Sequence, residues 1–301
     1  MQDKFKRFLL MLVTVSLPLI VQAQSVNGIH EDLDFSSPEA WAMSYMVAST
    51  LNLALQPPKS IEFGDIRLSA ELASIPHLNR EQQQVGFGGF KSEDLNKSPA
   101  FGLARASLGL IWDVTAELSW TPPVEINGAK PDLMWGLALS KPLIISDSWG
   151  LGLRLYKIDG SVLADVTCSE KIAEFPPFSS QNLFGCIGKS EDKLEMDHHG
   201  AEVILSFNKP NMLLKPWVSI ASTKMYPFVE IDAPLEGSKH SSTLSTEGKT
   251  ITYSIGFNYR LNEKWGINMA SSYTPLEARR IQKTGRQDNF WNIRLGLVWD
   301  L

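Results

Sequence analysis

The chain has 301 residues, 44% hydrophobic and 20% charged, with a formal net charge of -5. A mean hydropathy of -0.08 excludes a polytopic helical membrane protein, and the apolar content excludes a disordered chain. The mild acidity argues against nucleic acid as a partner. What remains is a soluble globule or a transmembrane barrel, whose apolar residues alternate with polar ones and dilute its hydropathy.

The N-terminus reads as a secretory signal. Lys4, Lys6 and Arg7 precede an apolar run from Phe8 to Val21, interrupted by Thr14, Ser16 and Pro18, and Val21-Gln22-Ala23 has the small-residue spacing of a cleavage site. The run falls short of the ~20 residues of a spanning helix, so cleavage after Ala23 is favoured over a membrane anchor. Gln24 rather than Cys follows, which argues against lipid attachment. Removing residues 1–23 takes the formal charge from -5 to -7, because Lys4, Lys6 and Arg7 leave together with Asp3.

Residues 24–60 form an N-terminal segment, polar and loose to residue 36. Ser37-Pro38-Glu39 then supplies a helix start: an N-cap hydroxyl, a first-turn proline and a carboxylate near the positive end of the dipole. The spacing of Met43, Met46, Val47, Thr50, Leu51 and Ala54 predicts a helix over 38–55. Its other face carries Ser44, Ser49 and Asn52 and no charge. Two placements stay open, the mouth or lumen of a barrel and an ordinary core.

From Ile61 to the end, residues 61–301, the period is two. Ile66, Leu68, Ala70 and Leu72 alternate with Asp65, Arg67, Ser69 and Glu71; Ala104 to Leu110 and Val114 to Trp120 continue the pattern. Further alternation runs through Trp149 to Tyr156, Ile251 to Asn258 and Phe290 to Leu301, with weaker strands near 132–140, 199–207, 215–224 and 264–274. The links between strands alternate in length. A long link near 74–99 precedes a tight turn at Asp113, a medium loop near 122–131 precedes a Lys141-Pro142 link, and the cysteine loop near 158–198 precedes a short one at 208–212. The long segment 225–249 then precedes 261–264, and a charged loop 275–289 leads into the last strand.

Such alternation predicts an all-β, antiparallel up-and-down transmembrane β-barrel of about ten strands with periplasmic turns and extracellular loops. Short strands near 141–147 or 225–233 raise the count to twelve. A soluble periplasmic β-sandwich is the alternative, although it gives no reason for the alternating links. No Gly or Asn marks the Asp113 turn, but one strand over 101–121 would exceed the ~9–11 residues that cross a membrane. Trp112, Trp149, Trp265 and Trp299 fall at proposed periplasmic ends, and Phe101, Trp120, Trp135, Tyr273 and Trp291 at outer ends, as interfacial girdles require. Buried core tryptophans are the alternative.

Cys168 and Cys186 are the two cysteines, and an exported chain meets an oxidising compartment, so they are expected to pair. Closing that loop contributes about 3 kcal/mol. Two lone thiols are too few for a structural zinc site, and no metal or cofactor is expected. The inward-facing charges are Asp65, Arg67, Glu71, Arg105, Glu117, Arg154, Glu202, Arg260 and Arg294. In so narrow a barrel they should pair across the lumen and, with the helix, obstruct it.

Catalytic patterns are sparse. Gly86-Phe87-Gly88-Gly89 lacks the Lys-Ser/Thr of a phosphate loop and reads as a flexible loop. No G-x-S-x-G occurs. Asp197-His198-His199, where an outer loop meets a strand, resembles the rim site of the omptin proteases, which also have ten strands, with Glu230 and Asp232 as the nearest further acids. That enzyme reading stands beside a metal-binding or merely solvated His pair, and beside the favoured non-enzymatic one.

The C-terminal run Ile293 to Leu301 resembles the assembly signal of bacterial outer-membrane barrels: apolar Leu301, aromatic Trp299 two before it, and Leu297 and further apolar residues at every second position. The family's usual terminal residue is Phe, from which Leu301 departs. The resemblance implies an outer-membrane location, recognition by the barrel assembly machinery, and contact with lipid and lipopolysaccharide, as a monomer. Pro38 to Met43, Gln84 to Gly89 and Phe184-Gly185-Cys186 are similar to a group of bacterial envelope barrels with an N-terminal helix, a likeness that brings no activity and no functional residues.

Overall fold

The computed structural model describes residues 28–209, 212–280 and 283–301. The expected leader, 1–23, lies outside the described residues. Ten strands close into one ring: β1 (Ile66–Ser74), β2 (Ala100–Gly109), β3 (Thr115–Thr121), β4 (Ala129–Ile145), β5 (Trp149–Ala164), β6 (His198–Phe207), β7 (Leu214–Met225), β8 (Gly248–Arg260), β9 (Trp265–Arg280) and β10 (Lys283–Asp300). Each pairs antiparallel with the next, and β10 closes the ring on β1, setting Leu295 opposite Leu72 and Trp299 opposite Leu68. Closure satisfies every strand edge from within, the condition for strands to cross lipid. No sandwich of two open sheets is present in the described chain.

The polarity of this ring is inside out. Outward side chains are large, apolar and exposed, as with Leu118, Leu155, Ile220 and Ile255, the last 59% exposed. Inward ones are polar and buried, as with Arg154, Glu202, Thr252 and Asn268, Glu202 being 0% exposed. Inward hydroxyls pair across strands, Thr252 with Thr274 at 2.9 Å and Ser254 with Ser272 at 3.0 Å. An exterior of this kind is stable only against lipid. Aromatic side chains mark its margins. Trp265 and Trp299 stack at 5.5 Å at the end of the ring with the short links, and Tyr273 lies 5.0 Å from Trp291 toward the other end.

The turns show why parts of the reading shift. At Asp113 the chain reverses with Trp112 and Asp113 both at φ 59°. Two successive positive φ values make a type I′ hairpin turn, usually marked by Asn-Gly, and Trp-Asp fills it here without that marker. The Lys141-Pro142 link is corrected: β4 continues through both residues to Ile145, and the reversal comes at 146–148. Pro142 is accommodated by a register shift between Pro142 and Ile144, where a missing N–H costs no ladder bond. The charged loop expected over 275–289 is instead strand, since β9 and β10 stay paired out to Arg280 and Lys283.

The segment 225–249 does contain strands, but they add nothing to the ring. Phe228–Leu235 and Ser238–Ser245 form a hairpin that joins Asp192–Glu195, itself paired with Ser161 to Ala164 at the tall end of β5. Ile29–Asp32 adds in parallel to Ser238–Ser245. An accessory sheet thus rises from the outer rim. The disulfide Cys168–Cys186 closes the loop beside it, with Cα atoms 5.8 Å apart, and packs with Ala233, Ile231 and Leu235.

Helix α1 (Pro38–Ser49) is shorter than expected. Ser37 caps it, accepting from the Ala40 N–H at 3.3 Å. It is buried nearly all round, against inward side chains that include Met134 of β4, Ile158 of β5, Met225 of β7 and Phe290 of β10. That enclosure explains a helix with no charged face. It resolves the two placements in favour of the ring's interior. Residues 51–55, expected to be helical, are not.

Placing a charge on the exterior tests the inside-out polarity. Leu118→Arg, at the middle of β3, is expected to cost about 2–4 kcal/mol in urea unfolding from lipid vesicles, whereas the same change on a water-facing surface would be nearly silent. An unshifted transition would contradict a lipid-facing β3.

Candidate functional site

Six inward charges form one continuous chain across the ring. Arg294 of β10 meets Glu71 of β1 at 2.6 Å, Glu71 meets Arg105 of β2 at 3.0 Å, and Arg105 meets Glu117 of β3 at 2.7 Å. Glu117 then meets Arg154 of β5 at 3.1 Å, and Arg154 meets Glu202 of β6 at 3.8 Å. The alternation of three cations with three anions leaves the chain neutral. Charges removed from water require that balance, since an unpaired one is far costlier than a pair.

Residues 50–58 run through the centre of this chain, and their backbone is bonded to it. Arg154 donates to the carbonyl of Asn52, and Arg294 and Arg105 donate to that of Leu53 at 2.9 and 3.3 Å. The Ala54 N–H donates to Glu202 at 2.8 Å, and Glu202 also accepts from Ser219 at 2.7 Å. An α-helix would use these backbone groups internally. The buried guanidinium and carboxylate groups claim them first, so α1 ends at Ser49 and the chain continues extended.

Glycines on the inner wall make room for that passage. A Cβ on Gly152 would come within 2.6 Å of the Pro58 ring, and one on Gly296 within 2.2 Å of the Leu55 side chain. Both positions stand in inward slots of β5 and β10, where the sequence showed only alternation. An inward glycine is the signal that marks a close approach. Below the charge chain, a cavity of about 30 Å³ lined by residues including Pro58, Arg67 and Glu71 has room for water alone.

Not every charge assigned to the lumen lies there. Asp65 precedes β1 and is exposed, and Arg260 is exposed at the β8–β9 turn, where it donates to the carbonyls of Asn262 at 3.0 Å and Glu263 at 2.7 Å. Both assignments are corrected. Alternation fixes the side of a residue only inside the ladder, and these two stand at its ends. Arg67 faces inward at the short-link margin and pairs with Asp300 rather than with the central chain. Leu297, Trp299 and Leu301 lie on the lipid face, with the Leu301 N–H donating to Ile66 at 3.1 Å.

The rim residues do not converge. His198 is buried and contacts the Met196 carbonyl at 2.8 Å through Nδ1, while His199, one residue on, is exposed and lies 5.5 Å from the Tyr226 ring. Neighbours on a strand face opposite sides of it. Asp232 sits on the accessory sheet, ion-paired with Lys239 at 2.7 Å, and Glu230 lies opposite Lys193. Among the described residues, no group of three or more His, Cys, Asp or Glu is placed to hold a metal.

A second feature lies outside the ring and was not foreseen from any one segment. Above α1, the accessory sheet and the loop 84–95 enclose a cavity of about 800 Å³. Burial pushes the Glu93 carboxyl at its edge up to about 7, against the opposing pull of Lys91 at 2.6 Å. Burial likewise raises the Asp192 carboxyl, against hydrogen bonds from Thr167 and Ser190.

A closed ring with a polar interior and an apolar exterior is the architecture of a bacterial outer-membrane β-barrel. The chain has the fold of a transmembrane β-barrel. No family model and no curated protein matches the sequence. Among solved structures, the chain is similar to the attachment invasion locus protein Ail of Yersinia pestis, at 8% identity over 79% of this chain and 99% of that one, with a TM-score of 0.33. It is also similar to the translocator domain of the autotransporter NalP from Neisseria meningitidis (9%, 88% and 99%, TM-score 0.39) and to the outer membrane protease OmpT from Escherichia coli (11%, 79% and 94%, TM-score 0.33). These likenesses concern the fold alone.

Glu71 holds both Arg105 and Arg294, so its removal should be felt twice. Glu71→Gln is expected to destabilise the barrel by about 3–5 kcal/mol, while the double change Glu71→Leu with Arg294→Met, which leaves four balanced charges, should cost markedly less. Urea unfolding in detergent micelles reads the difference. Equal losses would show that charge balance does not govern the interior.

Proposed function

We propose that this barrel is a non-conducting, monomeric outer-membrane protein that acts by binding at its extracellular end rather than by transport through its lumen or by catalysis. The observation that carries this reading is the bonding of residues 52–54 to the six-charge chain. A segment so held leaves no continuous water path, and opening one would uncover several buried charges together. Its working surface is then the outer end, where the accessory sheet, the disulfide-closed loop and the large cavity lie. The apolar belt would contact lipid and lipopolysaccharide, and Leu297, Trp299 and Leu301 would serve the assembly machinery.

Conductance in planar bilayers tests the reading. The purified wild-type barrel is expected to give no steady current, and excision of residues 38–58 should produce one. A large, steady wild-type conductance would overturn it.

A further inference from the structure

The cavity of about 800 Å³ falls within the range of about 300–1,000 Å³ over which proteins enclose small molecules. Its walls are apolar. Met43 and Met46 of α1 face it from below, and Val162, Leu194, Val229 and Leu244 of β5 and the accessory sheet from the side. Met46, Val162, Val229 and Leu244 remain only half-buried, so the protein itself leaves apolar surface there unfilled. Unbranched methionines allow such a wall to adapt to more than one shape.

The charge of the lining is one-sided. Glu31, Asp32, Asp34, Glu39, Glu93 and Asp192 line the cavity, together with His240 and with no lysine or arginine. Glu31, Asp32 and Asp34 are exposed at its rim. Lys91 lies beside Glu93 at 2.6 Å, and the His30 imidazole lies 3.4 Å from Asp32. An apolar chamber entered past carboxylates focuses a negative potential at its mouth.

An aromatic face completes the rim. Phe87 lines the cavity and stacks on Phe184 at 5.0 Å. It does so at φ 51°, a left-handed conformation costly for a Phe. The Gly88 N–H donates to Glu39 and ties this loop to the first turn of α1. The ring is thereby held near the Glu39 carboxylate, where it can meet a cation through its π face.

We infer that the cavity takes a small amphiphilic cation, with its apolar body between α1 and the accessory sheet and its ammonium head among Glu31, Glu39 and Phe87. The inference rests on the binding reading above and names its ligand class. The apolar body supplies affinity by leaving water, and the head supplies selection, since an anion of the same shape meets only like charge.

The test uses the barrel in lipid nanodiscs, titrated calorimetrically with phenylbutylammonium, phenylbutanol and phenylbutyrate, with empty nanodiscs subtracting partition into lipid. The ammonium is expected to bind, with the carboxylate weaker by about 10-fold or more. Glu31→Gln with Glu39→Gln, which keeps an acceptor for the Gly88 N–H, should weaken the ammonium by about 3-fold or more and leave the alcohol unchanged. Val229→Trp, which fills the cavity from the sheet, and Met46→Trp, which fills it from the helix, should each abolish binding, and heat-modifiable gel mobility shows that each variant has assembled. Equal affinity for all three probes, or binding untouched by both tryptophans, overturns the assignment. Absence of ammonium binding to a barrel that still does not conduct overturns it alone, leaving the closed-barrel reading intact.

Discussion

A closed ring in lipid must turn its polar side chains inward, and charges buried there need partners of opposite sign. Those side chains must therefore satisfy one another. The chain Arg294, Glu71, Arg105, Glu117, Arg154 and Glu202 is the result, drawn from six of the ten strands and balanced in sign. Each interior ion bonds two or more partners, because a guanidinium with its fork of donors and a carboxylate with its two oxygens are costly to leave partly unmade.

Three arginines carry more donors than three carboxylates can absorb, and this surplus shapes the N-terminal segment. The Asn52 and Leu53 carbonyls accept it, which converts a predicted fifth turn of helix into extended chain. Gly152 and Gly296 admit the passage, and the inner wall closes around it. The helix, the extended segment and the charge chain are thus one arrangement. Removing any of the three leaves buried polar groups in the others without partners.

The outer end obeys a different rule. There the strands of the ring rise beyond the lipid, with β5 extending to Ala164 and β10 starting at Lys283, and water again solvates exposed groups. A sheet edge above the membrane can be extended by further strands, and the chain does so from β5 through to Ile29–Asp32. That extension arches over α1 and leaves space beneath it. The disulfide-closed loop braces its flank through the small cluster around Ala233. The barrel and the chamber above it follow from the same strands, treated differently by lipid and by water.

The ring, its up-and-down order, the disulfide partners and the side on which most charges lie were all legible in the order of the residues. Alternation and link length are local properties, readable within one strand or between two, and the helix start at Ser37-Pro38 is local too. The tertiary structure alone decided which inward charges meet, because the stagger of strands around a barrel sets their relative heights and no single strand encodes it. For the same reason Asp65 and Arg260 fall outside the network although their periodicity matches it, the end of α1 is set by arginines far along the chain, and the outer cavity, enclosed by residues from Ile29 to Leu244, left no trace in any one segment.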